Sequence, residues 1–167
     1  MGASQQELFD RFSELGIETK THQHKPAFTV EEARELRGEI SGGHCKNLFL
    51  KDKKAQIWLI VCLEETQVNL KTAPAKIASA RLSFGKPDLL METLGITPGS
   101  VTPFALINDD KSVVNVILEK EMMAHDLLNY HPLINDATTT ISSDDLLKFI
   151  RSCGHEPQIV DLGSAED

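Results

Sequence analysis

Two strand-like segments, 47–51 and 56–63, are separated only by the short turn Asp52-Lys53-Lys54. A parallel crossover needs a dozen or more residues, so such a pair must be an antiparallel hairpin. Helical patterns flank it on both sides, which favours an α+β arrangement over a doubly wound parallel sheet. Ser4 is placed to cap a helix running to Leu15, with Leu8, Phe9, Phe12 and Leu15 on one face and Gly16 as its stop. Residues 17–23 alternate like a half-buried strand, and Thr29-x-x-Glu32 is a capping box for a helix over 30–37. A polar, glycine-bearing loop is expected over 38–44. Pro74 and Pro87 suit the first turns of two further helices, the first with Thr72 as cap and the second ended by Gly95.

Beyond Gly95, residues 97–103 hold two prolines around a glycine and cannot be regular structure. Strands are expected over 104–107 and 113–118 around Asn108-Asp109-Asp110. A second strand pair over 127–141 is interrupted by His131-Pro132. Ser143 caps a last helix over 144–153, which Gly154 stops, and a strand follows over 157–160. With no repeats and no long linker, residues 1–167 read as a single domain.

The formal net charge of −8 argues against a generic nucleic-acid binder. The charge is unevenly spread, however: residues 1–37, 38–86 and 87–167 carry −2, +4 and −10. The positive middle includes Lys46, Lys51, Lys53, Lys54, Lys71, Lys76, Arg81 and Lys86, which leaves room for a local basic face. No stretch approaches the roughly 20 apolar residues of a membrane span. The first residues lack the apolar run of a secretory signal, and three widely spaced cysteines suit reduced thiols. A cytoplasmic location is expected.

Several apparent motifs fail on inspection. Gly38 to Lys46 lacks the adjacent Gly-Lys and the following helix of a phosphate loop. His22-x-His24 places two rings on one strand face, and His44-Cys45 adds two further donors, but no ligand spacing of a known metal site is present. Cys45 and His44 are strand neighbours and point to opposite faces, which disfavours a nucleophile–base pair. Three local features remain. Lys46-Asn47 stands where a loop enters an apolar strand; Gly99-x-x-x-Pro103 is a stiff turn whose N–H groups could face an anion or carbonyl oxygen; and Pro132 holds His131 extended.

Taken in order along the chain, these features lie in a recognisable text. It includes His24-Lys-Pro-Ala-Phe-Thr-Val-Glu-Glu-Ala33, Lys46-Asn-Leu-Phe-Leu-Lys-Asp-Lys-Lys54 and Leu82-Ser-Phe-Gly85. Leu94-Gly-Ile-Thr-Pro-Gly-Ser-Val-Thr-Pro-Phe104, Asn129-Tyr-His-Pro-Leu133, Thr138-Thr-Thr140, Asp145-Leu-Leu-Lys-Phe149 and Gly154-His-Glu-Pro157 follow. Over about residues 20–160 the chain resembles the YbaK/prolyl-tRNA-editing family, relatives of the insertion domain of bacterial prolyl-tRNA synthetase, and most of all its freestanding ProX/PrdX branch. Gly85, where a small residue such as alanine is expected, and Ile134-Asn135-Asp136, in a variable stretch, are small departures.

The resemblance implies a compact α+β domain with a mostly antiparallel or mixed, barrel-like sheet flanked by helices. It implies a trans-editing deacylase acting on mischarged tRNA(Pro), most readily Ala-tRNA(Pro), with Cys-tRNA(Pro) as the alternative. Lys46, Gly99 and His131 are the implied catalytic residues. Asn47, Phe28, Thr29, Val30, Ser100, Val101 and Pro103 are the implied substrate contacts, with Phe28, Val30 and Val101 as walls of an amino-acid pocket. The expected partners are the tRNA(Pro) acceptor end and prolyl-tRNA synthetase, with neither DNA nor a membrane. No cofactor and no metal are expected. Two other classes stay open on the residues alone: a non-catalytic nucleic-acid-binding module using the Lys46–Lys86 region, and a metal-dependent esterase using His22, His24 and His44.

Overall fold

A computed structural model describes residues 3–23 and 42–162. Helix α1 (Gln5–Glu14) begins where Ser4 Oγ accepts from the Glu7 N–H and Glu7 Oε1 accepts from the Ser4 N–H, a reciprocal cap. Its Leu8 and Phe12 are buried, and Gly16, at φ +71°, turns the chain away. Strand β1 (Lys20–Gln23) follows, and the expected hairpin appears as β2 (Gly43–Asp52) and β3 (Ile57–Leu63). Then come α2 (Ala73–Ile77), β4 (Leu82–Phe84) and α3 (Pro87–Leu94), the last closed by Gly95 at φ +69°. Two 3-10 turns, Pro98–Ser100 and Pro103–Asn108, lead into β5 (Val114–Glu119) and α4 (Lys120–Met123). Strands β6 (Leu127–Tyr130) and β7 (Ala137–Ser142), helix α5 (Ser143–Ser152) and β8 (Gln158–Val160) complete the order.

The strands form one mixed sheet in the order β1-β7-β6-β2-β3-β5-β8, with β4 also paired to β2. Antiparallel ladders join β1 to β7, β7 to β6, and β2 to both β3 and β4. Parallel ladders join β2 to β6, β3 to β5, and β5 to β8. The sheet is packed on both faces. Leu59, Val61 and Leu63 of β3 enter the larger core with α1, α3 and α5, while Trp58, Ile60 and Cys62 enter a smaller core with α2. At about 1.5–3 kcal/mol for each large side chain removed from water, such two-sided burial dominates the stability of this strand. In the larger core the rings of Phe12, Phe149 and Tyr130 all lie 5.2–5.7 Å from that of Phe104.

Local punctuation predicted several boundaries correctly, and tertiary packing moved the others. Strand β2 starts at Gly43, inside the segment expected to be a loop; a Cβ there would stand 3.3 Å from Leu63, Leu128 and His125, so glycine lets the strands close up. Residues 104–107 form a 3-10 turn and not a strand. Pro103 opens that turn, Thr102 Oγ1 accepts from the Phe104 N–H, and Phe104, Ala105 and Leu106 are all buried without alternation. The last helix takes Ser142, not Ser143, as its cap, α2 is shorter than expected, and α4 was unforeseen. The expected helix over 30–37 lies outside the described residues. Gly85, which departs from the family pattern, has a local reason: a Cβ there would lie 2.4 Å from the Phe49 ring.

Asp52 ties the hairpin turn to the rest of the sheet. Its Oδ1 accepts from the Lys54 and Gln56 N–H groups, and its Oδ2 from Trp58 Nε1 and the Ala80 N–H. Burial opposes its ionisation, but these four donors outweigh burial and hold the carboxyl below its usual value of 3.8. A depressed folded value contributes stability above the unfolded value, and that contribution is lost as the pH falls through the folded one. Asp52→Asn should therefore cost about 2 kcal/mol at neutral pH. Denaturant melts of the two proteins should converge below a pH of about 3.8.

Candidate active site

The segment between α3 and the second 3-10 turn is anchored at both ends by buried side chains, Ile96 and Phe104. Between them, Gly99 is exposed, and the Ser100 N–H closes a turn onto the Thr97 carbonyl at 2.9 Å. Of the N–H groups of 99–101, that of Ser100 is used internally. Among the described residues nothing accepts from the Gly99 or Val101 N–H, and the flanking prolines have none to give. Two donors therefore remain on this turn.

Asn47 fixes the turn to the sheet. Its Nδ2 donates to the Val101 carbonyl at 3.1 Å, across 54 residues of sequence. Its Oδ1 is buried and has no hydrogen-bond partner. Orphans of this kind are uncommon and costly, so an uncompensated acceptor sits beside the candidate loop. Side-chain alternation along β2 sets Cys45, Asn47 and Phe49 toward the larger core and Leu48 and Leu50 toward the smaller one. Lys46 shares the second face; it is paired in register with Cys62, whose thiol its charge influences. Lys46 and Asn47 thus leave β2 on opposite sides, and no described residue forms an ion pair with Lys46.

His131 follows directly on β6. Its Nδ1 lies 3.1 Å from the Ala137 carbonyl, which only accepts, so Nδ1 carries the proton and Nε2 is the basic nitrogen of the neutral ring. Its predecessor, Tyr130, packs edge-on against Phe104, next to Pro103. The turn after His131 brings Asn135 to Gly99: a Cβ on Gly99 would meet Asn135 Nδ2 at 3.5 Å. The sequence reading passed over Asn135, and it also missed Asn129. The latter donates from Nδ2 to the Gly43 carbonyl and accepts from Thr140 Oγ1, locking β6 between β2 and β7. Its only sequence signal is its place two residues before His131. Asn47 and Val101 are therefore joined directly, Ser100 and Pro103 are buried in the same segment, and Gly99 opens onto Asn135 in the turn that follows His131. Lys46 leaves β2 on the side away from Asn47, and Phe28, Thr29 and Val30 lie outside the described residues.

The remaining candidates separate clearly. Burial pushes the Cys45 thiol up to about 12, so a thiolate nucleophile is not available there at neutral pH. Among the described residues no three His, Cys, Asp or Glu side chains cluster as metal ligands; His24 of the esterase reading is outside them. No helix among the described residues is long and apolar enough to cross a membrane. Lys51, Lys53, Lys54, Arg81 and Lys86 are all exposed on or beside β2, β3 and β4, with Phe84, 64% exposed, among them.

Comparison with known proteins is consistent along nearly the whole chain. Residues 24–149 match the profile of the aminoacyl-tRNA editing domain. The prolyl-tRNA editing protein ProX of Acetoanaerobium sticklandii is 33% identical over 160 residues, covering 95% of this chain and 98% of that protein. Prolyl-tRNA synthetase associated domain-containing protein 1 of Bos taurus is 35% identical over 160 residues, covering 93% of each. A crystal structure provisionally assigned as a trans-editing enzyme for prolyl tRNA synthetase superposes with a TM-score of 0.70 at 17% identity, over 96% of this chain and 98% of that one; this last likeness is one of fold.

Removing the Asn47 carboxamide should release the loop without disturbing the sheet. Asn47→Ala is expected to cost about 1 kcal/mol in a thermal melt. Amide hydrogen exchange at Ser100, whose N–H is bonded to the Thr97 carbonyl, should rise in the same variant, while that of β3 stays protected.

Proposed function

The chain belongs to the aminoacyl-tRNA editing domain family, and from that premise we propose that it is a trans-editing deacylase hydrolysing mischarged tRNA(Pro), most readily Ala-tRNA(Pro). The observation that carries the reading is the loop Gly99–Pro103, held by Asn47 and carrying two N–H donors that no described residue uses. The names of the two relatives, a prolyl-tRNA editing protein and a prolyl-tRNA synthetase associated domain protein, support the choice of tRNA. The whole chain acts as this one domain, with prolyl-tRNA synthetase as a further partner and the cytoplasm as its place of work.

An aminoacyl group is joined to the terminal adenosine by an ester, a bond already more reactive than an amide. Hydrolysis requires a positioned water and a place for the negative charge that develops on the carbonyl oxygen. The Gly99 and Val101 N–H groups supply that place; one such donor typically contributes about 10²–10³ in rate. His131 shapes the pocket and orients the water or the free ribose hydroxyl, with its Nδ1 already committed to Ala137. Lys46 grips the terminal phosphate. Its position on the other face of β2 is compatible with this role because, among the described residues, no strand pairs the outer edge of β2 from Cys45 to Leu48: β6 pairs with Gly43 and His44, the Gly85 N–H is bonded to the Phe49 carbonyl, and β4 begins opposite Leu50. A single-stranded end lying across that edge touches both faces of the strand. The exposed lysines of the hairpin then meet the following phosphates, few enough that binding is weak and salt-sensitive. The reaction needs no metal ion.

Selection follows from size. A proline-activating site rejects the smaller alanine by only about 1–3 kcal/mol, so a second pocket too small for proline must remove the error. Phe28, Val30 and Val101 are its walls, and Thr29, Ser100 and Pro103 complete the lining.

The direct experiment is release of amino acid from alanyl-, cysteinyl- and seryl-tRNA(Pro), with prolyl-tRNA(Pro) as control. The alanyl ester should be cleaved fastest and the prolyl ester spared, with the rate unchanged by a chelator. A cysteinyl preference would move the assignment to the sister specificity, and no release from any of them would favour a binding module. Lys46→Ala should lose turnover, where a mere binding module would show only weaker, salt-dependent affinity. Val101→Ala should raise release from prolyl-tRNA(Pro) at least several-fold; unchanged selectivity would remove Val101 from the pocket wall.

A further inference from the structure

Asn135 occupies a position that a simple turn residue would not need. Among the described residues, its two chain neighbours aside, the one atom within 4 Å of a Cβ built on Gly99 is Asn135 Nδ2, at 3.5 Å, so the side of Gly99 that lacks a side chain opens onto this carboxamide. Both residues are exposed, and their shared opening faces solvent. An asparagine that merely forms a turn bonds its side chain to nearby backbone. Here no described residue, backbone or side chain, makes a hydrogen bond to the Asn135 carboxamide.

The segment that presents Asn135 is braced on both sides. His131 Nδ1 donates to the Ala137 carbonyl, closing the base of the turn. Pro132 is buried, and Leu133 keeps a backbone φ of +73° while its side chain is packed in the larger core. Such a conformation is disfavoured for leucine and persists where the surroundings over-determine it, commonly at functional sites.

We propose that Asn135 donates a hydrogen bond to the carbonyl oxygen of the ester held at the Gly99–Pro103 loop, sharing its developing negative charge with the Gly99 and Val101 N–H groups. The proposal rests on the deacylase reading above. A backbone N–H paired with an asparagine carboxamide is an effective arrangement for such an oxyanion. In the balanced step, water oxygen bonds to the carbonyl carbon, the carbon–ribose oxygen bond breaks, and a proton from the water ends on the ribose oxygen. Asn135 transfers no proton.

The test uses the full chain with Asn135→Ala and Asn135→Asp under single-turnover and steady-state conditions on Ala-tRNA(Pro). The alanine variant should lose roughly 10- to 100-fold in kcat with KM within about twofold. The aspartate variant, which keeps the shape but puts a carboxylate against the oxyanion, should lose more. Neither should shift the thermal midpoint. Independently of activity, the Gly99 amide resonance of 15N-labelled protein should move in both variants. An undiminished kcat in Asn135→Ala, equal losses in both variants together with a lowered midpoint, or an unmoved Gly99 resonance would each overturn the proposal. A wild type inert on every mischarged tRNA would instead defeat the deacylase reading itself, and the donor role with it.

Discussion

Strand β2 has two edges and three neighbours, and the rest of the molecule is arranged around that excess. Its inner edge is taken by β3 from Cys45 to Lys51. Its outer edge is divided: β6 pairs with Gly43 and His44, and β4 with Leu50 to Asp52. The residues between, Cys45 to Phe49, contain the lysine and asparagine of the candidate site. A strand paired on one side only is usually a hazard that proteins cover or blunt. Among the described residues no strand covers that stretch of the edge.

Buried carboxylates add polar ties to the apolar packing of the central strands. Asp52 gathers four N–H donors at one end of the β2–β3 hairpin. Glu119, fully buried, accepts from the Leu63 N–H and Thr66 Oγ1 at the other end of β3. Asp109 accepts from the Val113 and Val114 N–H groups and pairs with buried His155 at 2.8 Å, joining the start of β5 to the segment after α5. Each buried charge costs desolvation, and each is repaid only because donors surround it. Together they fix the ends of the central strands.

Local chemistry made much of this architecture legible. Ser4, Pro87, Gly16 and Gly95 act within one turn of themselves, so their sequence signals survive folding. Gly43 and residues 104–107 do not: a close approach of three side chains and burial among distant rings decide their conformation. The site divides in the same way. Gly99, His131 and Lys46 stand out through resemblance to a family, yet the tie from Asn47 to Val101 depends on a fold that joins positions 54 residues apart. Asn135 was not legible because its approach to Gly99 joins positions 36 residues apart, through a turn that contains a leucine with positive φ, which no propensity would suggest. One lesson was available and unused: the alternation that separates His44 from Cys45 also separates Lys46 from Asn47.

The uneven charge has a mechanical meaning. Asp52, the carboxylate within the lysine-rich hairpin, turns its charge inward onto N–H groups, leaving Lys51, Lys53 and Lys54 unopposed outside. The residues from 87 onward carry a net −10. A polyanion approaching such a molecule exerts a torque on it before any contact forms, swinging the hairpin forward and the acidic remainder away. The field thus favours approaches in which the hairpin edge of the sheet leads.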